Sequence, residues 1–230
     1  MIAKSIVPGI YAIPLGFVNT FLLDLGELTL IDAGIAGSDR KILQALAELG
    51  KQPADLHHIL ITHLHTDHTG GLAALRQATG AAVYMHPLEA ADYSKGITMR
   101  QMQPGPGLLS KVMTRVFASR RTSRSEAAPV DYELQDGQVL DFAGNLQVIQ
   151  APGHTAGHVV FLSPAGGGVL FMGDACSHML SLGWSPIYEN REEARRTLRK
   201  LASLDFETAC FSHGGPITPQ ANRQFQAKFG

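Results

Sequence analysis

The run His63-Leu64-His65-Thr66-Asp67-His68 decides how this chain is read. It follows directly on Ile59-Leu60-Ile61-Thr62, a short apolar stretch rich in β-branched residues that reads as a buried strand. Gly70-Gly71 then opens a helical pattern carrying Leu72, Leu75 and Ala78. Strand residues two apart project to the same side, so His63 and His65 are expected to leave the strand end together. Asp67 and His68 follow on the bend before the helix. Four metal-capable side chains thus stand at the carboxyl end of a strand, where α/β sheets place their sites. Burying such groups without partners would cost on the order of several kcal/mol. The spacing differs from His-Glu-x-x-His, which sets two histidines four apart on one helix face.

Upstream, Phe21-Leu-Leu-Asp-Leu and Leu28-Thr-Leu-Ile read as strands parted by a turn at Gly26, the second ending in Asp32-Ala33-Gly34. Gly37 or Ser38 is expected to cap a helix with apolar positions Ile42, Leu43, Leu46 and Leu49, stopped by Gly50. His57 and His58 are expected to lie exposed just ahead of the central strand. Ala82-Val-Tyr-Met reads as another strand, closed by a turn at His86-Pro87. Further strands are predicted at Leu146-Gln-Val-Ile, Val159-Val-Phe-Leu, Val169-Leu-Phe-Met and residues 208–211. A charged helix from about residue 192 to 201, with a Glu192–Arg196 pair one turn apart, and a helix after Pro216 complete the chain. Strands early and late, with helices between and after, predict two sheets with helices on their outer faces, in one domain over residues 1–230.

Three later segments share a shape, an apolar strand ending in a glycine-flanked polar residue. They are Ala151-Pro-Gly-His154-Thr-Ala-Gly-His158, Phe171-Met-Gly-Asp174 and Phe211-Ser-His213-Gly-Gly. Glycine beside a ligand lets the backbone turn sharply and approach closely. Converging at one sheet edge, these residues and the first run offer too many ligands for one tetrahedral zinc. They suit two metals sharing a carboxylate.

Taken together, His63-x-His65-x-Asp67-His68, Gly153-His154-Thr-x-Gly-His158, Gly173-Asp174 and Ser212-His213-Gly resemble the metallo-β-lactamase superfamily of hydrolases, above all its glyoxalase II and quorum-signal lactonase branches. The similarity runs from Leu30-Ile-Asp32-Ala-Gly to His213, with the motifs in the family's order. It implies an α/β fold, a four-layer αββα sandwich of two mixed β-sheets flanked by helices. It implies that His63, His65 and His154 hold one metal, that Asp67, His68 and His213 hold a second, and that Asp174 bridges them. Asp32 matches the family's aspartate that orients the metal site, and His158 is read as orienting backbone beside it.

The implied chemistry is hydrolysis of a small-molecule ester, lactone or thioester by a hydroxide bridging two divalent ions about 3.5–4 Å apart. Asp67 and Asp174 are its catalytic carboxylates, Asp67 passing a proton to the leaving group. Zinc is the first expectation for both ions, with iron, manganese or cobalt suited to the same donors. Phosphodiesterase or nuclease activity and iron-dependent oxidoreductase activity are the superfamily's alternatives. Glyoxalase II enzymes carry a long helical C-terminal domain, whereas one helix is expected here after His213. Ser177 stands three residues after Asp174, where quorum lactonases often place a tyrosine.

Composition narrows the partners. A formal net charge of -1 provides no field to gather nucleic acid or an anionic membrane. The two cysteines, Cys176 and Cys210, imply no disulfide framework, and Cys210 reads as a small buried hydrophobe. The amino terminus lacks an apolar signal segment and no run is long enough to span a bilayer, so a cytoplasmic protein is expected. Residues 94–129 read as an irregular insertion with Met99, Met102, Leu109, Met113 and Phe117 as apolar positions. That stripe serves either as a lid whose Met113 and Phe117 touch substrate or as a packing face, including one between the two copies of a homodimer. His178, close behind Asp174, is a further candidate for substrate contact.

Overall fold

The computed structural model describes residues 2–107, 110–111 and 127–230. Its first sheet is laid down in chain order as β1 (Lys4–Val7), β2 (Ile10–Pro14), β3 (Asn19–Leu23), β4 (Leu28–Ile31), β5 (Leu56–Leu60) and β6 (Ala82–Met85). The short strand β7 (Gln103–Pro104) lies apart, and β8 (Tyr132–Glu133) returns to flank β6. Pairing is antiparallel from β1 to β4 and parallel from β4 to β8, so the sheet is mixed.

The second sheet holds β9 (Val139–Leu140), β10 (Leu146–Gln150), β11 (Val159–Ser163) and β12 (Val169–Phe171). Two small ribbons follow: β13 (Cys176–Ser177) pairs with β14 (Gly183–Trp184), and β15 (Ile187–Tyr188) pairs with β7. β16 (Thr208–Cys210) then closes the second sheet, parallel to β12.

Side-chain alternation sets the layering. Phe21, Leu23, Ile31 and Leu60 point from the first sheet toward Val159, Phe161, Val169 and Phe171 of the second, filling the space between them. Their neighbours Leu22, Leu30, Ile59 and Ile61 point the other way, onto α1 (Asp39–Glu48) and, beyond the one-turn α2 (Thr66–Thr69), onto α3 (Leu72–Thr79). On the far side Val160, Leu162 and Leu170 meet two further helices, which follow α4 (Pro87–Tyr93) in the chain, namely α5 (Arg191–Ala202) and α6 (Ala221–Phe229). Helix, sheet, sheet and helix are stacked in that order, as predicted. No helix among the described residues is long and apolar enough to cross a membrane.

Several local expectations differ. The β5 ladder stops at Leu60, short of residue 62, because the Thr62 N–H goes to the Asp32 carboxylate at 2.9 Å. His57 and His58 lie inside β5 rather than before it; His57 is exposed, but His58 stacks on Phe142 with ring centroids 3.8 Å apart. His86 is an N-cap and not only a turn residue, since its Nδ1 accepts the Leu88 N–H at the start of α4, a helix the apolar pattern does not announce. The Ser38 side chain makes no cap hydrogen bond to α1. On α5 the ion pairs are Glu192–Arg195 and Glu193–Arg196, three residues apart rather than four. β1 and β2 also escape the hydrophobic pattern, β1 being a partly exposed edge strand.

Candidate metal centre

After β5 the chain is held by the Asp32 carboxylate, which captures one backbone N–H and one side chain from it. Asp32, at the end of β4, adopts a left-handed backbone with φ of 62°, a conformation aspartate tolerates better than most residues. There its carboxylate accepts the Thr62 N–H and, through Oδ2, meets His68 Nδ1 at 2.8 Å. His63 and His65 lie on the connection between β5 and α2, and Asp67 and His68 on α2 itself. His154 and His158 come from the β10–β11 loop, Asp174 from the turn after β12 and His213 from the loop after β16. The carboxyl ends of β4, β5, β10, β12 and β16 thus meet at one edge.

The distances define overlapping sets. His65 Nδ1 lies 3.0 Å from His63 Nε2 and 3.1 Å from His154 Nε2. Zinc–nitrogen bonds of about 2.0–2.1 Å in a tetrahedron put their nitrogens roughly 3.3 Å apart, close to this spacing. His213 Nε2 lies 3.3 Å from Asp67 Oδ2, and His68 Nε2 lies 3.9 Å from that same oxygen. Asp174 faces both sets. Its Oδ2 is 3.4 Å from His154 Nε2 and 3.3 Å from His213 Nε2, while its Oδ1 is 3.6 Å from His68 Nε2. His63–His65–His154, His63–His68–Asp174 and Asp67–His68–His213 each bring one donor atom apiece within 4.8 Å of one another.

The outward nitrogens of His63, His68, His154 and His213 are already occupied, which leaves their inward ones free, whereas the outward Nε2 of His65 has no hydrogen-bond partner among the described residues. His154 Nδ1–H donates to the Ile187 carbonyl at 2.9 Å, and His213 Nδ1–H to the Phe17 carbonyl at 2.9 Å. His63 Nδ1–H donates to Thr62 Oγ1 at 3.0 Å, and that hydroxyl in turn donates to Asp32. Inside, His68 Nε2 and Asp174 Oδ1 are buried with no hydrogen-bond partner among the described residues. These two polar atoms face each other at 3.6 Å without a hydrogen bond, a spacing that leaves room for a shared cation. The residues present fit a metal.

Electrostatics divides the cluster into two halves. Burial pushes His65 down to about 4 and His154 down to about 3, and it takes His63 well below its ordinary value. These three are neutral donors at pH 7. Burial would also lower His68 and His213, but Asp32, Asp67 and Asp174 raise His68 to about 10, and Asp174 and Asp67 raise His213 to about 11. Burial would raise the carboxylates, yet His68 and His213 bring Asp67 down to about 2 and hold Asp174 well below the carboxylate range. His158 is not among the grouped donors; its Nε2 accepts the Asp174 N–H at 3.0 Å and so fixes the backbone that carries the shared carboxylate.

Residues 13–213, most of the chain, match the pattern of the metallo-beta-lactamase superfamily. The chain belongs to that superfamily. It is 31% identical over 191 residues to a hydroxyacylglutathione hydrolase of Cereibacter sphaeroides, covering 82% of this chain and 58% of that one. The chain therefore spans less than two thirds of the length of that relative. Over 226 residues it is 30% identical to the uncharacterized protein YobT of Bacillus subtilis, covering 91% of this chain and 88% of that one. A solved metallo-beta-lactamase family protein from Thermus thermophilus superposes with a TM-score of 0.71 at 28% identity, covering 97% of this chain and 80% of that one. The fold and the clustered donors are those of that superfamily.

Above the metallo-beta-lactamase donor cluster opens a cavity of about 220 Å³. Its walls are Phe17, Met99, Met179, Ser185, Pro186 and Ile187, and its floor is His65, Asp67, Asp174 and His213. His178 does not line it: the ring turns to the Gly215 carbonyl, 2.8 Å from Nδ1, and braces the loop that carries His213. Met113 and Phe117 lie outside the described residues. Two contributors gave no pattern in the sequence. Phe17 lies parallel to the His213 ring at 5.9 Å and reaches it from the far end of the chain. Thr62 had a visible position, next to the ligand run, but only the fold shows its hydroxyl between Asp32 and His63. Thr62→Val is expected to weaken metal retention about tenfold, the low end for a residue that orients a ligand. Competition with a chelator measures it, and unchanged retention would remove Thr62 from this role.

Proposed function

We propose that the chain is a dinuclear metal-dependent hydrolase that cleaves a small-molecule ester, lactone or thioester with an apolar acyl part. The observation that carries this reading is Asp174, whose two oxygens face the three-histidine set and the Asp67–His68–His213 set at once. When bound, two divalent ions, zinc before iron, manganese or cobalt, would be held by His63, His65 and His154 and by Asp67, His68 and His213, with Asp174 shared, and would polarise the carbonyl and acidify water.

The chain's own groups supply the rest. Asp67 lines the cavity floor, where its carboxylate is placed to pass a proton to the leaving group. Asp32 and Thr62 keep His68 and His63 turned inward. Met99, Pro186 and Ile187 form an apolar wall that shields the reacting carbonyl from bulk water and seats a hydrocarbon group. The likeness to a hydroxyacylglutathione hydrolase supports thioester chemistry in particular.

Metal analysis of protein purified without added metal, followed by a panel of lactones, thioesters, phosphodiesters and β-lactams, tests the proposal. The expected result is two ions per chain and turnover of lactones or thioesters, rising with acyl length. Turnover confined to phosphodiesters, or activity undiminished after complete chelation, would overturn it.

A further inference from the structure

Glu89 is a fully buried glutamate on α4 that no metal-site motif explains. Its Oε2 accepts the N–H of Leu64, the residue between His63 and His65, at 3.0 Å. Its Oε1 accepts the N–H of Gly157, between His154 and His158, at 2.8 Å. One carboxylate therefore ties together the two loops that bring the three histidines to one point. Gly157 has no room for a side chain, since a Cβ there would sit 2.8 Å from the Glu89 side chain.

A second carboxylate repeats the device. Glu189 Oε2 accepts the Ala156 N–H at 2.8 Å, and the Glu189 N–H donates to the His154 carbonyl at 3.0 Å. Arg100 joins the two: its Nη1 donates to Glu89 Oε1 at 3.0 Å and to Glu189 Oε1 at 3.1 Å. The guanidinium is itself anchored, Nε to Asp92 at 2.6 Å and Nη2 to the Leu88 carbonyl at 2.7 Å. Four acceptors at fixed angles suit the planar fork of arginine and not the single ammonium of lysine. The residue just before it, Met99, lines the cavity.

We propose that Arg100, Glu89 and Glu189 are positioning residues that preset the spacing of His63, His65 and His154, with Arg100 as the member on which the others depend. Two buried or half-buried carboxylates would repel each other without it, and each would relax away from the backbone N–H groups it holds. The inference rests on the reading of the three histidines as metal ligands. It assigns the guanidinium a part in metal affinity at one site and none at the other.

Chelator-treated wild-type, Arg100→Lys and Arg100→Met proteins titrated with cobalt(II) test it, the absorption bands separating the all-histidine site from the aspartate-containing one. Arg100→Met is expected to bind the three-histidine ion about 10–100-fold more weakly. Arg100→Lys is expected to recover part of the loss, and the other site should stay within about threefold of wild type, the scatter between uncoupled positions. Equal weakening of both sites, or a lower melting temperature with both affinities unchanged, would overturn the inference alone. Wild-type protein that binds no ion at the three histidines would overturn the metal-site reading and this inference with it. Should Arg100→Met not fold, Arg100→Lys and Glu189→Gln are judged by the same site-selective criterion.

Discussion

Asp174→Asn is expected to reduce the bound metal from two ions per chain to one at most and to lower turnover by at least about 10³-fold, the scale seen when a group that stabilises transition-state charge is lost. The change is nearly isosteric, and the backbone at this position is held independently by His158 through the residue's own N–H. What it removes is charge. Asp174 is the carboxylate that approaches His154 and His213 with one oxygen and His68 with the other. An amide offers one acceptor, and its NH2 group would be aimed at whichever ion lies on that side. Elemental analysis and steady-state kinetics on the best substrate of the panel measure both effects. Full metal content with turnover within tenfold of wild type would remove the shared carboxylate from the mechanism.

The second large effect is in the pH dependence of metal binding. Between pH 7 and 8 the ion held by Asp67, His68 and His213 is expected to bind about a hundredfold more tightly, because two protons must leave for each ion that enters. His68, raised to about 10, and His213, raised to about 11, carry those protons across this window. The three-histidine site should be flat over the same range, since His65 at about 4 and His154 at about 3 are already neutral. Calorimetric titrations in buffers of different ionisation enthalpy count the protons directly. Equal proton release at both sites would contradict the division.

The same shifts fix the sign of the chelated protein's stability. His68 and His213 titrate above their ordinary 6.5, so their contribution is complete below that value and is lost as pH rises through about 10–11. His65 and His154 titrate below it, so folding weakens as pH falls from 6.5 toward 4.

Much of this was legible in the sequence, because the candidate ligands come in short runs at the ends of apolar strands. The strand before His63 and the glycines beside His154, Asp174 and His213 announced both the sheet edge and the donors. The four layers followed from strands that are apolar at successive positions, as at Val159 and Val160, which face opposite layers. What stayed hidden were contacts set by tertiary structure. Glu89 looks like any helix glutamate until α4 packs against the ligand loops. The direction of the His178 ring was likewise hidden, because nearness to Asp174 in sequence does not say which way a ring turns; it meets the Gly215 carbonyl in the loop after β16. β1 and β2 form a hairpin whose edge strand is too exposed to carry a clean alternation.

The bond from His213 to the Phe17 carbonyl spans 196 residues, and the Asn19 N–H reaches the Ser212 carbonyl across nearly the same interval. Closing so long a loop is entropically slow, and such pairings form late. The candidate donor set that includes His213 thus depends on the hairpin at residues 10–23 meeting the loop after β16, a dependence that the three-histidine set does not share.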